Sequence, residues 1–230
     1  MLMCFSPPVM LVTIAIELVL LIYSLWRYKI TPLTRVVISI LFLLALFQFS
    51  EYNVCGGVGI KAAVWSRIGF ASITLLPPLG IHIIQILSNK KWHIISWFAY
   101  ATAVVWEAVF LLGDRAFSGH LCAGNYVIFQ LNHDYGSLYF IYYYFWLFAG
   151  IGLSLFLAYR ATKEHIRKAL LLQTVGYLVF LLPTTIANTV SPSTISGIPS
   201  VMCGFAVLYA FILVAGIMPI YSMGDKRNLK

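Results

Sequence analysis

Charge is scarce in this sequence. Seven acids and fifteen lysines and arginines stand among 230 residues, so only 10% of the chain is charged. A water-soluble domain carries about 25%. That shortage excludes an ordinary soluble fold, and a 61% hydrophobic content strengthens the exclusion. A chain of this size cannot hide so much apolar surface from water, so lipid must be part of its solvent. Strict apolar–polar alternation is missing from the long apolar runs, which argues against a β-barrel. Helices are the other structure that satisfies its own backbone in hydrocarbon. Catalytic motifs are missing too: there is no His-Glu-x-x-His, His-x-x-x-His or Gly-x-Ser-x-Gly. The last apolar run, Ile198 to Tyr221, holds no lysine that could carry a retinal Schiff base.

What is present is a series of apolar runs, each near the roughly 20 residues that cross a bilayer core. They lie at Val9–Trp26, Leu33–Ser50, Ala62–Leu87, His93–Gly113, Leu138–Tyr159, Ala169–Val190 and Ile198–Tyr221. The expected fold is all-α: a single domain, residues 1–230, built as a polytopic bundle of about seven transmembrane helices. No linker or internal repeat divides it. Met1 to Pro8 lacks the basic segment of a cleavable signal, so the first run is read as a span.

The net charge of +8 is distributed as a topology signal rather than as a nucleic-acid surface. Arg27, Lys29, Arg35, Lys90, Lys91, Arg160, Lys163, Arg167, Lys168, Lys226, Arg227 and Lys230 fall on one side of the predicted spans. Lys61, Arg67 and Arg115 fall on the other. The expected orientation has the N-terminus outside and the C-terminus in the cytoplasm, in the cell membrane.

Polar residues inside the spans recur at helical spacing. Thr13, Glu17 and Ser24 share a face of the first span. Arg67, Thr74, His82 and Gln85 share one in the third, and Gln173, Tyr177, Thr184 and Asn188 one in the sixth. A charge at the bilayer centre costs roughly 3 kcal/mol or more, so these faces should turn inward. Pro77-Pro78 should kink the third helix and free carbonyls there. The expected ligand-binding residues are Glu17, Glu51, Arg67, His82, Glu107, Tyr143 and Asn188. Arg67 should pair with Glu51 or Glu107, because a buried unpaired charge is costly. The bland alternative is a set of hydrogen bonds that only hold helices together.

The longest polar loop runs from Asp114 to Ser137. Tyr126 to Leu131 is β-prone and Gly124-Asn125 is a turn signal, so a short hairpin lid is expected. Tyr139, Tyr142, Tyr143 and Tyr144 follow, either as an interfacial aromatic belt or as a stacking wall for a ligand. Four cysteines, Cys4, Cys55, Cys122 and Cys203, all fall toward the predicted outer face, the oxidising side in most cells. Among three possible pairings, Cys4–Cys203 and Cys55–Cys122 are favoured. Free thiols, or a metal held by Cys122 with His120 and His133, are the rivals. That spacing matches no zinc template, so no metal or other cofactor is expected.

Two resemblances rest on short stretches. Met3-Cys4-Phe5-Ser6 and Pro199-Ser200-Val201-Met202-Cys203-Gly204-Phe205-Ala206 resemble the opening and closing parts of small bacterial membrane proteins that begin Met-Cys-Phe-Ser. Gln48 to Gly57 is similar to the polar end of that family's second helix. More distantly, Glu51-Tyr52 through Trp65-Ser66-Arg67, with Pro77-Pro78 and His82, resembles the seven-helix N-terminal sensor region of histidine kinases. This second likeness implies a ligand- or membrane-sensing bundle. Taken together, the expected function is a membrane binding or sensing module. Its outward-facing polar cavity would take a small solute or lipid headgroup. A transporter or channel subunit is the first alternative and a membrane-embedded enzyme the second. The expected partners are membrane lipids and a small-molecule or lipid ligand, with no nucleic acid.

Overall fold

The structure, a computed structural model, describes residues 7–56, 61–89, 93–113, 116–123 and 126–227. Seven helices or helix pairs are long and apolar enough to cross a membrane. They are built from α1 (Pro7–Arg27), α2 (Pro32–Gly56), α3 (Ala62–Thr74) with α4 (Leu76–Ser88), α5 (His93–Leu112), α6 (His133–Arg160), α7 (Glu164–Val190), and α8 (Ile198–Phe211) with α9 (Met218–Arg227). The seven apolar runs thus become seven spans, several of them longer than the hydrophobic run alone. Polar first and last turns, such as Glu164 to Lys168 in α7, extend the helices beyond the apolar stretch; there the i,i+4 pair Glu164–Lys168 closes at 2.7 Å.

The third span is two helices rather than one kinked helix. Leu75 separates α3 from α4, and Pro77 and Pro78 fall in the first turn of α4. A proline there gives up an N–H that would have had no helical partner anyway, so the prolines start a helix instead of bending one. The seventh span is interrupted as well, by a π-helical segment, Ile212–Ile217.

Two strands form the expected hairpin. β1 (Phe117–Ala123) pairs antiparallel with β2 (Tyr126–Leu131), with an irregularity between Phe117 and Gly119. The turn residues 124 and 125 lie outside the described residues. The hairpin sits at the end of the bundle where α2 ends and α8 begins, called here the hairpin end. Arg27, Arg160, Lys163, Arg167 and Lys168 mark the opposite, basic end.

α2, α4, α7 and α8 form the middle of the bundle, while α1 and α5 pack at its edge. Trp26, Ile94 and Leu112 are at least 80% exposed, as lipid-facing side chains must be. The interior depends on close approach at three glycines. Cβ atoms added to Gly80 and Gly150 would run into the Tyr177 hydroxyl, and one on Gly176 would meet the Tyr209 ring at 2.5 Å. Tyr177 and Tyr209 stack at 6.1 Å inside this cradle. Small residues at helix crossings are the usual means of tight packing in lipid.

A pair of substitutions separates these contacts. Beyond the hydroxyl, a Cβ on Gly80 would find the Tyr177 ring at 3.2 Å, whereas one on Gly150 would still find it at 2.8 Å. Gly80→Ala and Gly150→Ala should each destabilise the purified protein by about 1–3 kcal/mol. Tyr177→Phe should rescue the first and not the second in a double-mutant cycle read by thermal unfolding.

Candidate functional site

Two acids lie fully buried in the hairpin half of the bundle. Glu17, midway along α1, and Glu51, near the end of α2, each have zero exposure. Neither oxygen of Glu17 has a hydrogen-bond partner, while the Ser200 hydroxyl of α8 lies against the Glu51 carboxyl. α1 and α2 pack on each other and both pack on α8, which carries the buried Cys203. Further unpartnered polar atoms lie along the same two helices: Gln48 Nε2, one turn from Glu51, and Ser24 Oγ, two turns from Glu17. A polar seam therefore runs between α1 and α2 toward the start of α8.

The hairpin lies over this seam. Cys55 stands one turn beyond Glu51 on α2 and is disulfide-bonded to Cys122 of β1, with Cα atoms 5.7 Å apart. β2 is tied to α8 where the backbone N–H of Val127 donates to Ser200 Oγ at 3.4 Å. Where an outward-opening polar cavity is expected, the described residues place packed rings. Phe70 of α3 meets Phe110, Phe117 and Phe129 at 5.2 Å each and Tyr139 at 5.6 Å. Beneath them is a cavity of about 30 Å³, room for a water or two, lined by Tyr143, Tyr177, Tyr209 and Cys203 among others. A smaller one of about 10 Å³ lies between Tyr139, Tyr143 and Cys203.

Of the expected site residues, Glu17 and Glu51 are both fully buried on the packed helices α1 and α2, and Tyr143 lies with Cys203 beneath the hairpin. The others do not join them. Arg67 is half-buried, and its Nη1 donates to the Leu111 carbonyl at 3.1 Å, at the end of α5 where carbonyls lack helical partners. No ion pair of the described residues joins Arg67 to Glu51 or to Glu107. Glu107 is half-buried, and its Oε1 is likewise unpartnered. His82 shares a 3.0 Å hydrogen bond with the Tyr100 hydroxyl and joins α4 to α5. Asn188 Oδ1 accepts from Thr194 Oγ1 at 2.7 Å and fastens the turn after α7.

Tyr139, Tyr142 and Tyr143 are buried, not spread along the lipid interface. The α3–α4 break explains two of them. Pro78 has no N–H to give the Thr74 carbonyl, which instead accepts from the Tyr142 hydroxyl at 2.8 Å, and the Tyr139 hydroxyl lies 3.1 Å from Thr74 Oγ1.

The second expected bridge needs correction. Cys203 is a free thiol, 3% exposed, one turn inside α8 and lining the interior cavities rather than the surface. Cys4 lies outside the described residues. Because Cys122 is bonded to Cys55, it has no thiolate to offer a metal. Among the described residues, no three His, Cys, Asp or Glu side chains are placed to hold a metal ion. Ser200, Gln48 and the glycine cradle escaped the sequence reading. Gln48 stands three residues before Glu51, a spacing that puts both on one helical face. No family model, curated protein or solved structure matches this chain.

Proposed function

We propose that this chain is a multi-pass protein of the cell membrane that binds or senses a small solute through Glu17 and Glu51. The carrying observation is that both acids are fully buried on the packed helices α1 and α2, with no ion pair to either among the described residues and no hydrogen-bond partner for Glu17. Two ionised carboxylates so placed would each cost several kcal/mol. The pair is therefore suited to accept positive charge, as a proton or as the cationic group of a solute or lipid headgroup. The disulfide-pinned hairpin serves as the lid over that site, and Tyr143 and Cys203 line the space below it. The proposed orientation puts the hairpin outside and the basic end in the cytoplasm. A reporter fused after Lys230 should then be active in the cytoplasm, and activity on the outer side would reverse the orientation.

Thermal unfolding of the purified chain tests the site. Sodium, potassium, guanidinium and choline would each be titrated at constant ionic strength. At least one should raise the unfolding midpoint saturably, by about 3 kcal/mol of stabilisation at a hundredfold excess over Kd. The Glu17→Gln/Glu51→Gln variant should lose that rise. A midpoint indifferent to all four cations, or a rise that survives in the variant, would defeat the proposal.

A transporter remains the alternative, supported by the interruptions of the third and seventh spans at Leu75 and Ile212–Ile217. Broken helices are how many transporters build their sites.

A further inference from the structure

The basic end holds a larger cavity than either of those beneath the hairpin. It encloses about 430 Å³ between the α1–α2 connection and the start of α9. Arg27, Tyr28, Lys29 and Thr34 form one wall; Tyr221 and Ser222 stand on the other. None of its lining residues is acidic.

The neutral groups of this wall hold one another in place. Thr34 Oγ1 donates to the Lys29 carbonyl at 2.8 Å, and the Thr34 N–H donates to Thr31 Oγ1 at 3.2 Å. Ser222 Oγ donates to the Pro219 carbonyl at 3.0 Å. The Tyr28 hydroxyl reaches across to the Val214 carbonyl, within the π-helical segment, at 3.1 Å. π turns leave carbonyls off the α-helical pattern, and here one fastens the two sides of the cavity together.

The two cations are differently placed. Arg27 and Lys29 are exposed, and neither has an acidic partner among the described residues. The Arg27 guanidinium lies 6.0 Å from the Tyr28 ring centroid. The first turn of α2 also borders the cavity at Leu33 and Thr34, and its positive dipole end adds to the same field. Trp26, 84% exposed, places this level where the helices leave the apolar layer. Below it the lipid-facing side of α1 continues through Ile22 and Leu25.

A recess with no acid among its lining residues, and with two cations that have no acidic partner among the described residues, at headgroup depth and continuous with an apolar helix face, has the chemistry to hold a phosphate-bearing anion. We propose that this cavity binds the phosphate of an anionic phospholipid headgroup, with Arg27 and Lys29 as its ligands. Basic pockets between transmembrane helices at the membrane surface recognise such headgroups. The site is separate from the acid pair and stands whether or not that pair binds a solute.

The full chain, reconstituted in phosphatidylcholine nanodiscs, would be titrated with phosphatidylglycerol and bound lipid counted by native mass spectrometry. Retention of phosphatidylglycerol should exceed that of added phosphatidylcholine, and Arg27→Gln/Lys29→Gln should weaken it about tenfold or more. Arg35→Gln, an exposed residue outside the cavity lining, should leave it unchanged. Inorganic phosphate and glycerol phosphate form the second arm. Failure to displace the lipid at millimolar concentration is the expected result, and displacement would assign the site to a free phosphate instead. Equal retention by the double variant, equal retention of the two lipids, or an equal loss in Arg35→Gln would overturn the proposal.

Discussion

Phe70→Ala is expected to destabilise the bundle by about 3–5 kcal/mol, the range for removing a large buried ring. Phe70 is 1% exposed and touches rings from α5, both hairpin strands and α6. Lipid tails are as apolar as the ring, so the loss is not mainly one of burial. It is the loss of dispersion contacts around a hole that four neighbours cannot all collapse into. The effect should be visible as a lowered unfolding midpoint in detergent and as earlier proteolysis of the hairpin. Phe148→Ala, at a ring 61% exposed to lipid, is the control and should cost little. Equal midpoints for the two variants would show that the hairpin end is not held by this cluster.

Breaking the Cys55–Cys122 bridge is expected to cost about 2–4 kcal/mol. The bond closes a separation of 67 residues that includes the third and fourth spans. Cys122→Ser should therefore lower the midpoint by more than Cys203→Ser, which removes a thiol but no crosslink. Reduction should also loosen the lid. Phe117 of β1, Phe129 of β2 and the Val127–Ser200 hydrogen bond would still hold the strands, so the hairpin should remain attached. Alkylation followed by mass spectrometry should find Cys55 and Cys122 in linked peptides. Cys203 should react in the unfolded protein and resist in the folded one. Rapid alkylation of Cys203 with the bridge intact would show that the hairpin does not cover it.

The spans were legible because their signal is collective: long apolar runs leave few other structures open in lipid. The hairpin was legible from Gly124-Asn125 and the β-prone stretch after it. Glu17 could be singled out because a lone acid amid an apolar run needs a reason. Partners were not legible. Arg67 donates to a backbone carbonyl, and no residue identity encodes which carbonyl a helix end leaves open. The inward turn of Tyr139 and Tyr142 depends on Thr74, whose carbonyl is freed because Pro78, four residues on, has no N–H; that much was expected of Pro77-Pro78, but not which side chain would take it up. Pro77-Pro78 signalled an irregularity, but the residues alone did not distinguish a kink from a new first turn. Cys203 illustrates a limit of counting: four cysteines on one predicted face favoured two bridges, whereas depth along α8 left this one as a buried thiol.

The most direct measurement compares the ligand-free unfolding midpoint of Glu17→Gln/Glu51→Gln with that of the unaltered chain. Acids kept without a counter-charge for a ligand burden the empty protein, so the double variant should melt at the same temperature or higher, because replacing buried charge with neutral groups is often neutral or stabilising by about 1–4 kcal/mol. A midpoint several degrees lower would contradict this, and would mean that the two acids hold the helices together rather than wait for a ligand.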